Sequence, residues 1–190
     1  MTKKISNRKN GGFSFAEVMV AVLILVLLTA VIGAIIPLAH NAYTDVVDAG
    51  NAEVLSSTTI TELQTRLSLT TEVLAPKAGD TFLIAFKDED GSKWYRISND
   101  GTNGIVIGQM IVDLDGEYHQ VERLASRQLV TNKAATERLY TTAESITYDE
   151  SNGLFTITNL EVKNFNGKTL ASVESYCIRA INSVSTAGQA

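Results

Sequence analysis

Residues 8–39 read RKNGGFSFAEVMVAVLILVLLTAVIGAIIPLA: a basic flank, two glycines, a short aromatic stretch holding one carboxylate, and a long apolar run. Val18 to Ala39 carries no charge. At about 1.5 Å per residue in a helix, this run matches the thickness of a bilayer core. It is too long for the apolar region of a secretory signal, and Pro37-Leu38-Ala39 makes a poor cleavage site, so removal after the span is not expected. Lys3, Lys4, Arg8 and Lys9 precede the span, which places the leader in the cytoplasm and everything after His40 outside. Glu17 is the discordant residue. A carboxylate in hydrocarbon costs roughly 2.5 to 3.5 kcal/mol on insertion scales, and such groups have specific partners. The nearest cations in the uncut chain are Arg8 and Lys9, whereas a cut at Gly12 would create a positive amine on Phe13, close to Glu17 of the same or a neighbouring chain.

Arg8-Lys9-Asn10-Gly11-Gly12, followed by Phe13-Ser14-Phe15-Ala16-Glu17 and the apolar run, resembles the class III prepilin leader of type IV pilins and pseudopilins. The resemblance implies that a membrane aspartyl prepilin peptidase cuts between Gly12 and Phe13 and methylates the new amine of Phe13. It also implies that Glu17, five residues into the mature chain, guides subunit docking. A glycine before the cut suits a protease, because it lets the backbone lie extended and close. Two departures from the family pattern are Phe15, where leucine is common, and Pro37, which falls later than the usual helix-bending proline.

The chain has 190 residues, 45% of them hydrophobic, which suits one anchor and one core rather than two full domains. The expected division is a basic leader at 1–12, a membrane and assembly helix at 13–39, an extracellular half of that helix at 40–70, and a β-rich head at 71–190. Removing the leader leaves 12 Lys and Arg against 21 Asp and Glu, a formal charge of −9. An acidic body argues against nucleic acid as a partner. Cys177 is the only cysteine, so no intrachain disulfide can form; between Tyr176 and Ile178 it reads as a small buried strand residue.

Beyond the span, Tyr43, Val47 and Val54, then Ile60, Leu63 and Leu67, keep helical spacing, so the helix is expected to reach about Leu69. Gly33, Pro37 and Gly50 are its weak points, where bending or local melting is expected. From Thr81 short β-type runs begin. Thr81–Lys87, Lys93–Ser98 and Gly104–Val112 form one meander, with turns at Asp90-Gly91 and Asn99-Asp100-Gly101. Ser145–Tyr148, Leu154–Val162 and Thr169–Ile178 form another, with turns at Asn152-Gly153 and Asn166-Gly167. Phe155 and Ile157 share one parity and Leu160 and Val162 the other, which predicts a bulge near Asn159 with the register slipping by one. Tyr118 to Thr142 fits neither period and reads as helix and loop. The fold class is therefore α+β, a long N-terminal helix packed on an antiparallel β head, as in pilins.

Catalysis is not expected. His40 and His119 are the only histidines and lie far apart, and no phosphate-cradling glycine loop is present. Asp88-Glu89-Asp90-Gly91 and Asp113-Leu114-Asp115-Gly116 resemble the start of a calcium loop but lack its closing glutamate, and read as hairpin turns. At least one ring of Trp94 and Tyr95 is expected in the core. No metal or cofactor is implied. The reading is a pilus-like filament subunit, exported and ending at the cell surface or in the periplasm. Its partners would be identical or related pilins, the prepilin peptidase, the membrane and an inner-membrane assembly platform. The alternatives are a minor pilin or pseudopilin of a type II secretion or DNA-uptake machine and, from another class, a single-pass tethered binding module.

Overall fold

The computed structural model describes residues 14–101, 103–112, 118–120, 127–130 and 139–186. Its first element is a 54-residue helix, α1 (Phe15–Ser68), close to the expected end at Leu69. Gly33, Pro37 and Gly50 all lie inside it without interruption, so the expected local melting does not occur. The carbonyl four residues before Pro37 belongs to Gly33, whose lack of a Cβ leaves it room to tilt away from the proline ring. The chain divides into two units at Val46/Val47. In the second unit the helix buries Ala52, Leu55, Ser56, Thr59, Leu63 and Leu67, a stripe at steps of one, three and four. The last carbonyls of α1 are satisfied from the far end of the chain: the Ile181 amide donates to Ser68 O at 2.8 Å, and Asn182 Nδ2 to Leu69 O at 2.8 Å.

Two sheets follow. The first is ordered β11-β1-β2-β3-β4-β5, with β6 also on β4; its members are β1 (Glu72–Leu74), β2 (Phe82–Lys87), β3 (Trp94–Asp100), β4 (Gly104–Val112), β5 (Tyr118–Gln120), β6 (Arg127–Gln128) and β11 (Ser185–Thr186). Only the β1–β11 pair is parallel. The second sheet is ordered β10-β9-β7, with β8 also on β9: β7 (Leu139–Thr142), β8 (Ser145–Asp149), β9 (Leu154–Asn164) and β10 (Thr169–Arg179). Both expected meanders are present. The β3–β4 ladder runs on to Asp100↔Gly104, however, so the turn begins at Gly101 rather than Asn99. The helix-and-loop expectation for 118–142 is overturned at 118–120, 127–128 and 139–142, which are strands. Runs this short carry too few alternations to show their period.

Leu63 and Leu67 of α1, Ile84, Ile97 and Ile107 of the first sheet, and Phe155, Ile157 and Leu160 of the second share one core. Two contacts join the turn end of the β3–β4 pair to the β7–β8 segment of the second sheet. Asn99 Nδ2 donates to Ala143 O at 2.7 Å while the Ala143 amide donates to Asn99 Oδ1 at 3.2 Å, so one side chain mimics a strand pair. Gly104, at φ 73°, lies where a Cβ would come 2.8 Å from the Thr141 backbone.

The expected change of face on β9 is present. Phe155, Ile157, Leu160 and Val162 are all buried, and Asn159 between them has a left-handed φ of 52°. The expected slip of register is not. On β10 the inward positions change parity between Val173 and Tyr176, and from β7 to β8 between Ala143 and Ile146, at the same level of the sheet. Every strand carries the extra residue there, so the pairing of β9 passes Asn159 unshifted, with Leu160↔Val173 and Thr158↔Ser175 on one side and Thr142↔Glu161 and Ser145↔Thr158 on the other; the register shift of the β9–β10 pair falls instead between Thr169 and Ala171. Cys177 is exposed, against the expectation of burial. Tyr176 and Ile178 face the core, and alternation turns the residue between them outward.

Candidate processing and assembly site

The chain enters α1 through Ser14. Ser14 O accepts the amides of Glu17 (3.0 Å) and Val18 (3.2 Å). The Ser14 hydroxyl accepts the Glu17 amide at 3.4 Å, and Glu17 Oε2 accepts the Ser14 amide at 2.8 Å. This reciprocal pair is a capping box, satisfying helix-start donors that have no partner within the helix. It also sets the carboxylate at the positive end of the helix dipole, where negative charge is favoured. Glu17 therefore has a partner nearer than any cation, and the Ser-x-x-Glu spacing of Ser14 and Glu17 ahead of an apolar run is its signature in the sequence.

Past Glu17 the helix presents only apolar or self-satisfied groups as far as Ala39. Phe15 is 81% exposed, and no residue of the membrane-length window is buried by the chain itself. Thr29, the one hydroxyl in the run, donates back to Leu25 O and Val26 O at 3.1 and 2.9 Å. An apolar surface of this length is stable only against lipid or against other apolar surfaces. The helix is long and apolar enough to cross a membrane. Beside Glu17 the small side chains of Ala16 and Ala21 leave an open apolar notch, bounded also by Val20 and Ile24. Gly12 and Phe13, the expected cleavage and methylation residues, lie outside the described residues.

Turn carboxylates of the head hold backbone and side-chain donors of their own turns. Asp88 Oδ1 accepts the amides of Ser92 and Lys93, and Asp90 Oδ1 accepts that of Ser92, which makes 88–91 the expected turn; 113–116 lies outside the described residues. Asp149 caps the β8–β9 turn, accepting from the Ser151 hydroxyl (2.6 Å) and amide (2.9 Å) and from Asn152 Nδ2 (2.6 Å). These bonds, the Ser151 hydroxyl foremost, hold its carboxyl below the usual aspartate range. Burial pushes the Tyr148 phenol up as its ring packs on Phe155 at 4.6 Å. Trp94 is buried, with the Lys87 ammonium 5.5 Å from its ring, and Tyr95 stacks on Phe86 from the other face. Among the described residues no group of three His, Cys, Asp or Glu side chains could hold a metal ion. His119 falls in β5.

Residues 7–33 match the family model described as the prokaryotic N-terminal methylation motif, the class III prepilin-type signal of type IV pilins and pseudopilins. Nothing among curated proteins or solved structures matches the chain. The chain carries this signal ahead of a membrane-capable helix and an α+β body with the pilin-like arrangement. The motif points to a structural subunit rather than an enzyme, and it implies processing by a prepilin peptidase and assembly into pilin-type filaments.

Proposed function

We propose that this type IV pilin-like precursor is a structural subunit of a pilus or related filament. The leader, 1–12, stays in the cytoplasm until prepilin peptidase cuts between Gly12 and Phe13. Phe13 is then N-methylated and begins the mature chain. Residues 13–39 form the membrane and assembly helix, 40–70 its exported half and 71–190 the head, which ends at the cell surface or in the periplasm.

The observation that carries this reading is the matched motif opening directly into a helix whose apolar surface no described residue covers. Lipid covers it before assembly and the helices of other subunits cover it afterwards. Apolar surfaces in lipid carry little register information, so a charge at one level of the helix is the feature that can set it. Glu17, on the first turn, fills that role by meeting the Phe13 amine of its own or a neighbouring copy. Partners are identical or related pilins and an inner-membrane assembly platform.

The test is filament recovery by shearing from cells expressing the full chain or its Glu17→Ala variant. The reading expects filaments from the parent, and an inserted, processed but unassembled Glu17→Ala variant. Equal yields from both would contradict it.

A further inference from the structure

The hairpin that joins β9 to β10 closes in a tight turn from Asn164 to Lys168. The Gly167 amide donates to Asn164 O (2.8 Å) and the Asn164 amide to Lys168 O (3.1 Å), while Asn164 Oδ1 accepts the amides of Asn166 and Lys168, each at 3.0 Å. Gly167 completes the turn at a left-handed φ of 79°. This bonding fixes the backbone and leaves the ring of Phe165 58% exposed at the tip, beside Tyr140 with centroids 6.1 Å apart. An aromatic pair held out on a rigid turn gains from leaving water and loses little freedom in doing so.

Contacts with α1 fix which end of the head this tip occupies. Asn182 meets Leu69, the Tyr176 hydroxyl lies 3.4 Å from Gln64 Oε1, and Val162, Leu170 and Ala171 pack with Ala52 and Leu55. Going back along β10 therefore follows α1 towards its N-terminal side. At about 3.3 Å per strand residue and about 1.5 Å per helical residue, one step on β10 matches about two on α1, and the same ratio brings the turn level with Val47. Val47 is eight residues beyond Ala39, the last of the apolar run. That is about 12 Å of helix, too short a tether to hold this end of the head clear of the lipid headgroups.

The charge of the tip agrees. The chain beyond the leader has 21 Asp and Glu against 12 Lys and Arg, yet from Val162 to Val173 the charged residues are Lys163 and Lys168. Lys168 is exposed, and Lys163 is held against Glu161 at 2.6 Å. Asp48, the carboxylate of α1 nearest Val47, is half-buried. An exposed ring flanked by lysines suits a bilayer surface, where the ring enters the headgroup layer and the ammonium groups stay among the phosphates.

We propose that the β9–β10 tip rests on the bilayer that anchors the chain, with Phe165 inserted among the lipid headgroups and Lys163 and Lys168 facing lipid phosphates. The inference rests on the reading that puts the apolar half of α1 in the membrane and the head outside it, and it holds for the subunit before any assembly. The contact gives the head a second hold on the membrane and limits its swing about the helix.

The experiment uses the full-length protein in vesicles of phosphatidylcholine and phosphatidylglycerol, carrying a photo-crosslinking residue at 165 or, as a control, at 147. Thr147 is exposed on β8 opposite Thr156, nine positions along β9 from Phe165 and at the end of the head away from Val47. Residue 165 should give an adduct heavier by one phospholipid, about tenfold or more above the yield at 147. Lys163→Gln combined with Lys168→Gln should lower that yield about threefold or more in these vesicles and change it little in phosphatidylcholine alone, with an unmoved thermal midpoint. Lipid adducts no more abundant at 165 than at 147, from protein that resists alkaline extraction, overturn the inference and leave the membrane reading intact. An adduct of two copies in place of lipid overturns the choice of partner, and an undiminished yield from the lysine variant overturns the part given to the two ammonium groups. If alkali strips the protein from the vesicles, the membrane reading and the inference fail together.

Discussion

Gly104 has little freedom to change. Its φ of 73° disfavours any side chain, and a Cβ would stand 2.8 Å from both the amide nitrogen and the carbonyl oxygen of Thr141. Gly104→Ala should therefore destabilise the protein by about 2 to 4 kcal/mol, measured by denaturant unfolding of the full chain in detergent. Asn159 is a milder case. Asparagine tolerates the left-handed region better than other non-glycine residues, and Nδ2 of Asn159 donates to Glu144 Oε2 at 3.0 Å. Replacement by alanine should cost about 1 to 2 kcal/mol, and replacement by glycine less, since glycine removes the backbone penalty and loses only the exposed hydrogen bond. At Glu17 the two roles separate by substitution. Glu17→Gln keeps an acceptor for the Ser14 amide but loses the charge. On this account it inserts and is processed normally yet fails to assemble, which immunoblotting of sheared and membrane fractions would show.

Among the elements, β9 carries the largest share of the head's packing, with Phe155, Ile157 and Val162 fully buried. Phe155→Ala should cost about 3 to 5 kcal/mol by the same unfolding measurement. The β8–β9 turn adds a pH dependence. Asp149 has its carboxyl held low in the folded state, so its stabilisation is present above the ordinary aspartate pKa and is lost as pH falls through the folded value. The unfolding midpoint should drop as pH falls below about 4, and Asp149→Asn should flatten part of that drop. The helix and both meanders were legible because their periods persist: α1 repeats its pattern over 54 residues, and β4, β9 and β10 each run nine or more. The strands at 118–120, 127–128 and 139–142 were not, since two to four residues cannot display a period. The apolar neighbours of Cys177 suggest burial, whereas strand alternation gives them the opposite face and leaves Cys177 exposed. At the candidate site, the apolar run and Glu17 were legible from charge alone. The capping box is legible in the Ser14-x-x-Glu17 spacing, although the same carboxylate also reads as a membrane-embedded charge.

At the scale of the whole molecule, the apolar half of α1 has no cover among the described residues, while the outer half is covered on one face by the head and left uncharged on the other. On the proposed reading, lipid over the apolar half is exchanged for neighbouring helices as the filament grows. The arrangement depends on removal of the basic leader, because Lys3, Lys4, Arg8 and Lys9 would otherwise keep the N-terminus in the cytoplasm and no amine would form beside Glu17. The most direct measurement is mass spectrometry of the N-terminal peptide of the protein isolated from its own cells. The account predicts a chain beginning at an N-methylated Phe13, and a chain retaining Met1 and the residues up to Gly12 would contradict it.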